Sequence, residues 1–354
     1  MFKVAIDLGY GYVKGINENG KKILIRTAIG TGSNRQLANI FGGSDKTKEH
    51  IIISQNGTER QYYVGDLARK ESRDCSSPFE KNKIDNQSTK VLLATAFAIL
   101  NESNNDPVHL ITGPPLLYAA EQKDSFKSSL TDYHAILQFI GEEKLLLVKF
   151  DRVTVFPQGA AVVYHMLRKQ PELGKAGKTF VVIEPGYKTT EILMFEISKD
   201  ARITPISGYS TTLELGMNLV EKALDESFFQ KTGSKLIPSI IDRVMTGNSV
   251  ITYNGSEINL QNARDGAKDE LARNIIDGTM QVLGEQVGFV NKLIFAGGVM
   301  QDNYIANQIT ASLKADCIIV EDSQFANARG MLEVARMLEL KEGQGVTTGR
   351  SITA

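Results

Sequence analysis

The chain has 354 residues, 42% of them hydrophobic and 23% charged, an ordinary globular balance with room for two domains rather than one. A net charge of −1 leaves no general basic field, so direct binding to nucleic acid is not expected. The cysteines Cys75 and Cys317 form no CxxC pair, His50, His109, His134 and His165 lack metal-ligand spacing, the start has no leader pattern, and apolar runs such as LLATAFAIL at 92–100 are well short of the ~20 residues of a membrane span, so a soluble cytoplasmic protein without membrane association is expected.

In chain order, KVAID at 3–7 reads as a short buried strand stopped by glycine, with KKILIRTAI at 21–29 as its hairpin partner across an NENG turn at 17–20. Residues 31–60 are polar and glycine-rich around IIIS and read as a small surface subdomain. RQYYVGDLARKE gives a strand, a turn at Gly65 and a short helix; residues 88–104 carry helical spacing; VHLITGPP is a strand closing on a Gly-Pro turn. LLYAAEQKDSFKSSL is helical, KLLLVKFDRVTVFP extended, and QGAAVVYHMLRK at 158–169 a helix ending near Pro171. KTFVVIEPGYKTTEILMFEI reads as strand, turn, strand, and 212–290 as mostly helical around NSVITYNGSEINL. KLIFAGGVM is a strand opening into a Gly-Gly turn, ADCIIVE another strand, QFANARGMLEVARMLEL a helix, and the tail from KEGQG onward polar and mobile. Strands alternating with helices make this an α/β protein.

One similarity spans half the chain. KVAIDLGYGYVK and FVVIEPGYKTTE are both apolar strands that end in a carboxylate, Asp7 or Glu184, with a glycine two residues on. Gly9, Gly11 and Gly186 allow close backbone approach, and several amides pointing inward form an anion cradle. Lys14 adds a cation; Asp7 would repel a phosphate unless a metal such as magnesium, keeping its waters, stood between them. Thr189 and Thr190 offer hydroxyls, with Glu191 beyond. Taken singly, such a turn is better read as a plain structural turn, and it is the second one that favours the phosphate reading. Neither is a Walker A loop, which needs Gly-Lys-Ser/Thr, nor a dinucleotide fingerprint, which needs a third glycine. AGGVM at 296–300 is a third such turn, where Gly297 and Gly298 could admit a flat base or ribose. The helix starts FPQGAA and FANARG are rich in small residues and suit close crossings, and Gln158 can orient an attacking water.

Together these motifs resemble the actin, sugar kinase and heat-shock ATPase superfamily. DLGYGYVK resembles its first phosphate motif, VFPQGAAVV its first connecting helix, VVIEPGYKTTEI its second phosphate motif, LIFAGGVM its adenosine motif and QFANARGMLEVA its second connecting helix. YYVGDLA at 62–68 and LITGPP at 110–115 look more like the bacterial and archaeal actin-like group, the ParM type. The resemblance implies an actin-like two-domain ATPase with duplicated ribonuclease-H-like halves and a nucleotide cleft between them. Domain I would cover 1–157 and 326–354, with a small subdomain at about 31–85, and domain II 158–325. The implied ligands are ATP or GTP with Mg²⁺. The implied partners are further copies in a filament and a DNA-binding adaptor carrying a plasmid centromere site, in a plasmid-segregation role. Carried over by position, Asp7 would hold magnesium through water, and Gly9, Tyr10, Gly11, Tyr12 and Lys14 the β-phosphate. Gln158 would position the attacking water, Gly186, Tyr187, Lys188 and Thr189 would hold the γ side, and Gly297, Gly298 and Met300 would contact adenosine. Glu184 and Glu191 stand where the family usually has Asp, which implies slow or shifted hydrolysis. A small-molecule kinase, with Asp85 or Asp151 as base, and a non-hydrolysing nucleotide-binding scaffold are the competing readings.

Overall fold

The structure, a computed structural model, describes residues 1–35, 47–78, 83–103, 106–313 and 315–343. Part of the polar 31–60 stretch and the tail beyond 343 therefore lie outside the described residues. The chain divides into two compact units, Met1–Lys169 with Asn327–Ala354, and Gln170–Ala326.

Unit 1 is built on a five-stranded sheet. Its central strand β1 (Phe2–Leu8) is buried along its whole length, as an unbroken apolar run flanked by strands on both sides should be. It runs antiparallel to β2 (Tyr12–Asn17) and parallel to β7 (Val108–Thr112); β3 (Lys22–Arg26) continues beyond β2, and β10 (Arg152–Val155) beyond β7. The hairpin partner of β1 is thus β2, and the 21–29 stretch pairs with β2 instead. YVKGIN hides as a strand because it contains a glycine and a lysine. Gly15 is there for space: a Cβ would meet Leu100 Cδ1, from the covering helix, at 2.5 Å. That helix, α2 (Gln87–Leu100), starts at Asn86, whose side chain accepts from the Ser88 N–H.

A second sheet in unit 1, antiparallel throughout, orders β4 (Ile29–Thr31), β6 (Thr58–Val64), β5 (His50–Gln55), β8 (Ala135–Phe139) and β9 (Leu145–Val148). Helix α1 (Gly65–Glu71) follows β6, α3 (Ala119–Thr131) leads into β8, and α4 (Ala160–Lys169) follows β10. One core serves both sheets, with Ile6, Ile53, Phe97, Phe126 and Phe139 fully buried or nearly so.

Besides His50 on β5, two histidines of unit 1 are buried: His109 on β7, whose Nε2 lies 2.8 Å from Thr154 Oγ1, and His165 on α4. Burial, and then neighbouring cations (Arg152 and Lys3 for His109, Arg329 and Lys169 for His165), pushes each down to about 4. Above an ordinary histidine pKa of about 6.5 both states are neutral and neither group matters. Between about 6.5 and 4 the unfolded chain takes up protons that the folded chain refuses, so stability falls with falling pH. Urea titrations at pH 7 and pH 5 should show this loss, and the double variant His109→Gln/His165→Gln should flatten it.

Unit 2 repeats the main sheet. β11 (Thr179–Pro185) runs antiparallel to β12 (Thr190–Ile197) and parallel to β17 (Lys292–Phe295); β18 (Cys317–Ile319) lies parallel beyond β17, and β13 (Ile203–Pro205) antiparallel beyond β12. This is strand for strand the order and direction of β10-β7-β1-β2-β3. The similarity of the two motifs is therefore a repeat of topology. β14 (Thr211–Leu213) also pairs with β12. The helices α5 (Met217–Thr232), α7 (Gln261–Leu283) and α8 (Asn303–Ser312) belong to this unit, and α9 (Ala326–Gly343) returns the chain to unit 1. A smaller lobe of α6 (Pro238–Met245) and the hairpin β15 (Val250–Tyr253)–β16 (Ser256–Asn259) has its own core around Leu224, Phe228, Val244 and Ile251. Among the described residues no helix is long and apolar enough to cross a membrane.

Gly266 sits mid-helix in α7, exposed, and a Cβ there would meet nothing within 4 Å. Gly266→Ala should raise the unfolding free energy by about 0.5–1 kcal/mol, the usual gain on replacing an exposed helical glycine. A thermal melt checks it.

Candidate functional site

The first turn joins β1 to β2. Their register places Lys14 directly across from Asp7, and Lys14 Nζ lies 2.9 Å from Asp7 Oδ2, with the two side chains 12% and 2% exposed. The cation facing Asp7 is thus supplied by the ladder itself. Asp7 Oδ1 is also buried and has no hydrogen-bond partner among the described residues. An unsatisfied buried carboxylate oxygen is costly, so this atom suits a hydrated cation or its water. Gly9 is required for space, since a Cβ would stand 2.6 Å from the Tyr12 carbonyl oxygen and 2.7 Å from Lys14 Nζ. Thr27 anchors the turn from beyond β3: its hydroxyl donates to the Gly9 carbonyl at 2.8 Å and its N–H to the Gly11 carbonyl at 2.9 Å. Two carbonyls that would repel an anion are thereby held on Thr27. Tyr12, across from Arg26, carries that guanidinium over its ring at 4.9 Å.

Gln158 precedes α4 and is buried. Its Nε2 donates to the Gly113 carbonyl and its backbone N–H to the Pro114 carbonyl, both at 2.9 Å. With Nε2 committed, Oε1 is fixed as an acceptor, the right polarity to orient a water. Gly159 follows in the left-handed region, φ +73°, and its N–H donates to Asn327 Oδ1 at 2.8 Å. Asn327, itself buried, thus ties the start of α9 to the start of α4.

In unit 2 the β11–β12 turn is closed by the Gly186 N–H donating to the Thr189 carbonyl at 2.8 Å. The carbonyls of Gly186 and Tyr187 accept from the N–H groups of Met217 and Asn218 at the start of α5, at 3.1 and 2.8 Å. Gly216 makes this possible, because a Cβ there would overlap the Tyr187 carbonyl. Here too carbonyls are drawn away, this time onto a helix N-terminus. Thr190 donates its hydroxyl to the Leu215 carbonyl at 2.7 Å, and Tyr187 OH to Glu221 at 2.8 Å. The register sets Glu184 directly across from Glu191. Like charges in that position repel, which suits a place that takes a proton or a cation. Lys188 is half-buried on the turn.

The third turn lies beside the second. Gly297, with φ +88°, approaches so closely that a Cβ would stand 2.5 Å from the Pro185 carbonyl oxygen and 3.0 Å from Glu184 Cγ. Ser323 holds it, accepting from the Gly297 N–H and donating to its carbonyl, each at 3.0 Å. Gly298 is open, its nearest neighbour being Gln324 at 3.7 Å from a built Cβ. The Met300 side chain is buried in the unit 2 core beside Val299 and Ile305. Unit 1 therefore brings together Asp7, the 9–12 turn and Lys14, and unit 2 brings together Glu184, the 186–189 turn and Gly297. Sequence reasoning missed Thr27, Gly113, Gly216, Ser323 and Asn327, which act through contacts distant in the chain; only the glycines carried a signal.

Asp151, a kinase-base candidate, sits before β10, whereas Gln158 follows its far end. Its Oδ2 accepts from the Val108 N–H at 2.8 Å, and that hydrogen bond, with Lys149 nearby, holds its pKa below the ordinary value. Asp85 lies in a single turn of 3₁₀ helix ahead of α2.

Residues 5–160 match the family described as actin like proteins N terminal domain, and residues 182–302 the one described as archaeal actin homologue MreB-like, C-terminal. The chain is 30% identical to the subunit of a 15-stranded ParM filament from Clostridium botulinum, with a TM-score of 0.84 over 95% of this chain and 99% of that one. An archaeal actin homologue in complex with ADP shares the fold, at 20% identity and a TM-score of 0.77, over 95% of this chain and 100% of that one. An archaeal actin homologue of Thermoplasma acidophilum is 23% identical over 95% of this chain and 99% of its own length.

Proposed function

The chain belongs to the ParM-type actin-like proteins, whose fold is that of an ATPase, and from that premise we propose that it binds ATP or GTP with magnesium, assembles into filaments, and hydrolyses nucleotide slowly after assembly. In this reading the filament works in the cytoplasm and moves plasmid DNA through a DNA-bound adaptor, while the chain itself touches neither DNA nor membrane. The observation that carries the nucleotide reading is the buried Asp7 carboxylate at the head of a glycine turn whose Gly9 and Gly11 carbonyls are held on Thr27, with the same strand–turn–strand recurring at Glu184. The filament reading is supported by 30% identity to a filament subunit over nearly the whole of both chains.

Each residue then has a role. The 9–12 turn and Lys14 receive the β-phosphate, and the 186–189 turn the γ-phosphate, with Gly186 shaping that turn through its bond to Thr189. Gly297 and Gly298 give adenosine access to the backbone, and Met300 supports that surface from the core. Gln158 would orient water through Oε1, and Glu184 is assigned as the group that accepts its proton. A magnesium ion held through water by Asp7 would neutralise phosphate charge; among the described residues no cluster of three or more His, Cys, Asp or Glu offers a metal site of its own.

The test is 90° light scattering with and without ATP and magnesium, with phosphate release followed in parallel. Scattering should rise first and phosphate follow. ATP consumption only in the presence of a sugar or acid, without scattering, would replace this reading with a kinase; assembly without phosphate release would replace it with a scaffold. Gln158→Ala should leave assembly intact and slow phosphate release by roughly 10²-fold or more, the scale of losing one positioned catalytic group. Unchanged release would remove Gln158 from the mechanism.

A further inference from the structure

Away from these turns, unit 1 contains a hollow of about 290 Å³ between the β2–β3 turn, the end of α4 and the first half of α9. Lys22 lines it from β3, His165, Arg168 and Lys169 from α4, and Arg329 and Arg336 from α9. The spacing explains the convergence: 165, 168 and 169 share one face of α4, and 329 and 336 one face of α9. Two carboxylates oppose five cations, and both are already engaged. Glu18 is paired with Lys3, and Glu333 is shared between Arg168 and Arg336.

The second observation is His165. It is 5% exposed, lines the hollow, and makes no hydrogen bond to any described residue. An imidazole always carries at least one N–H donor, and the hollow is where this one can meet an acceptor, since no described residue supplies it. Burial and the charges of Arg329 and Lys169 hold its pKa down at about 4, so the group is neutral as long as nothing negative joins it. An anion in the hollow would answer both features, accepting from the ring and offsetting the crowd of cations.

We propose that this hollow is a binding site for a small multivalent oxyanion of the phosphate class, distinct from the turns around Asp7 and Gly186. Three guanidinium groups line it, a chemistry suited to oxyanions even with Arg168 and Arg336 sharing Glu333, and the volume, close to the lower end of ordinary small-molecule pockets, holds more than one phosphate group. None of its residues belongs to the proposed nucleotide machinery.

The probe is pyrophosphate, and the readout is the His165 ring in NMR spectra of the full chain, assigned by His165→Gln. The chain has only four histidines, so the signal is separable. Pyrophosphate should move the His165 resonances saturably and raise the pH at which the ring titrates. Lys22→Gln and Arg336→Gln, surface changes on two different elements, should each weaken binding by roughly tenfold or more, the scale of one charge-assisted hydrogen bond, while their melting temperatures confirm folding. No saturable shift overturns the proposal, as does an equal shift with sodium chloride at matched ionic strength. Saturation by hexaglutamate where pyrophosphate has no effect also overturns it, in favour of docking an acidic peptide.

Discussion

Asp7→Asn should lower the unfolding free energy by roughly 3–5 kcal/mol, the cost of removing one member of a buried ion pair, and should abolish nucleotide-dependent scattering. The first effect follows from the pair with Lys14, closed across the β1–β2 ladder and almost wholly out of water. The second follows from the assignment of Asp7 to a hydrated cation. The two are separable. Adding Lys14→Met removes the charge that the single variant strands, and most of the cost of breaking a buried pair is that uncompensated charge. The double variant should therefore recover most of the stability, read as the urea midpoint at constant slope, and still fail to assemble with ATP and magnesium. If the single variant loses less than about 1 kcal/mol, the range of an exposed pair, the ladder pair does not hold the turn. If the double variant assembles as well as the natural chain, neither residue handles metal or phosphate.

That pair shows what the sequence could and could not reveal. Asp7 and the glycines were legible because a strand ending in a carboxylate and a glycine turn is a local pattern, and it recurs half a chain later at Glu184. Lys14 was legible as a nearby cation, but its partnership with Asp7 depends on register, which follows only once residues 12–17 are known to be a strand. They read poorly as one because Gly15 weakens the apolar pattern; the reason for that glycine is Leu100 of α2, far along the chain. β8 and α8 were likewise overlooked, short elements between stronger signals. Gln158 was visible at a helix start, whereas the groups that aim it, Gly113 and Asn327 through Gly159, are brought in by folding alone. The half-chain repeat was visible as two motifs; that it extends to the whole strand order could be seen only with β2, β7, β13 and β17 in place.

Gly330→Ala should be strongly destabilising, because this glycine makes one of the tightest backbone approaches among the described residues. A Cβ on Gly330 would fall inside the carbonyl oxygen of Ala161, where α9 crosses α4, and a backbone group cannot turn aside as a side chain can. The helix must move away, and overpacking of this kind costs typically 1–3 kcal/mol; against it stands only the ~1 kcal/mol that alanine gains over glycine within a helix. A net loss of about 2 kcal/mol or more is expected in urea unfolding. Ala161→Gly should not rescue it, because the obstacle is the Ala161 carbonyl and not its methyl. Gly278→Ala is the matched contrast: its Cβ would meet Leu213 Cδ1 at 2.5 Å, the far end of a flexible side chain, so it should be tolerated far better. The consequence for function follows from Asn327, one turn before Gly330 on α9, which holds Gly159 and with it the start of α4 next to Gln158. Displacing α9 loosens that hold, so phosphate release should fall by a larger factor than nucleotide affinity. Equal losses in both would show that the crossing supports the fold of unit 1 without aiming Gln158.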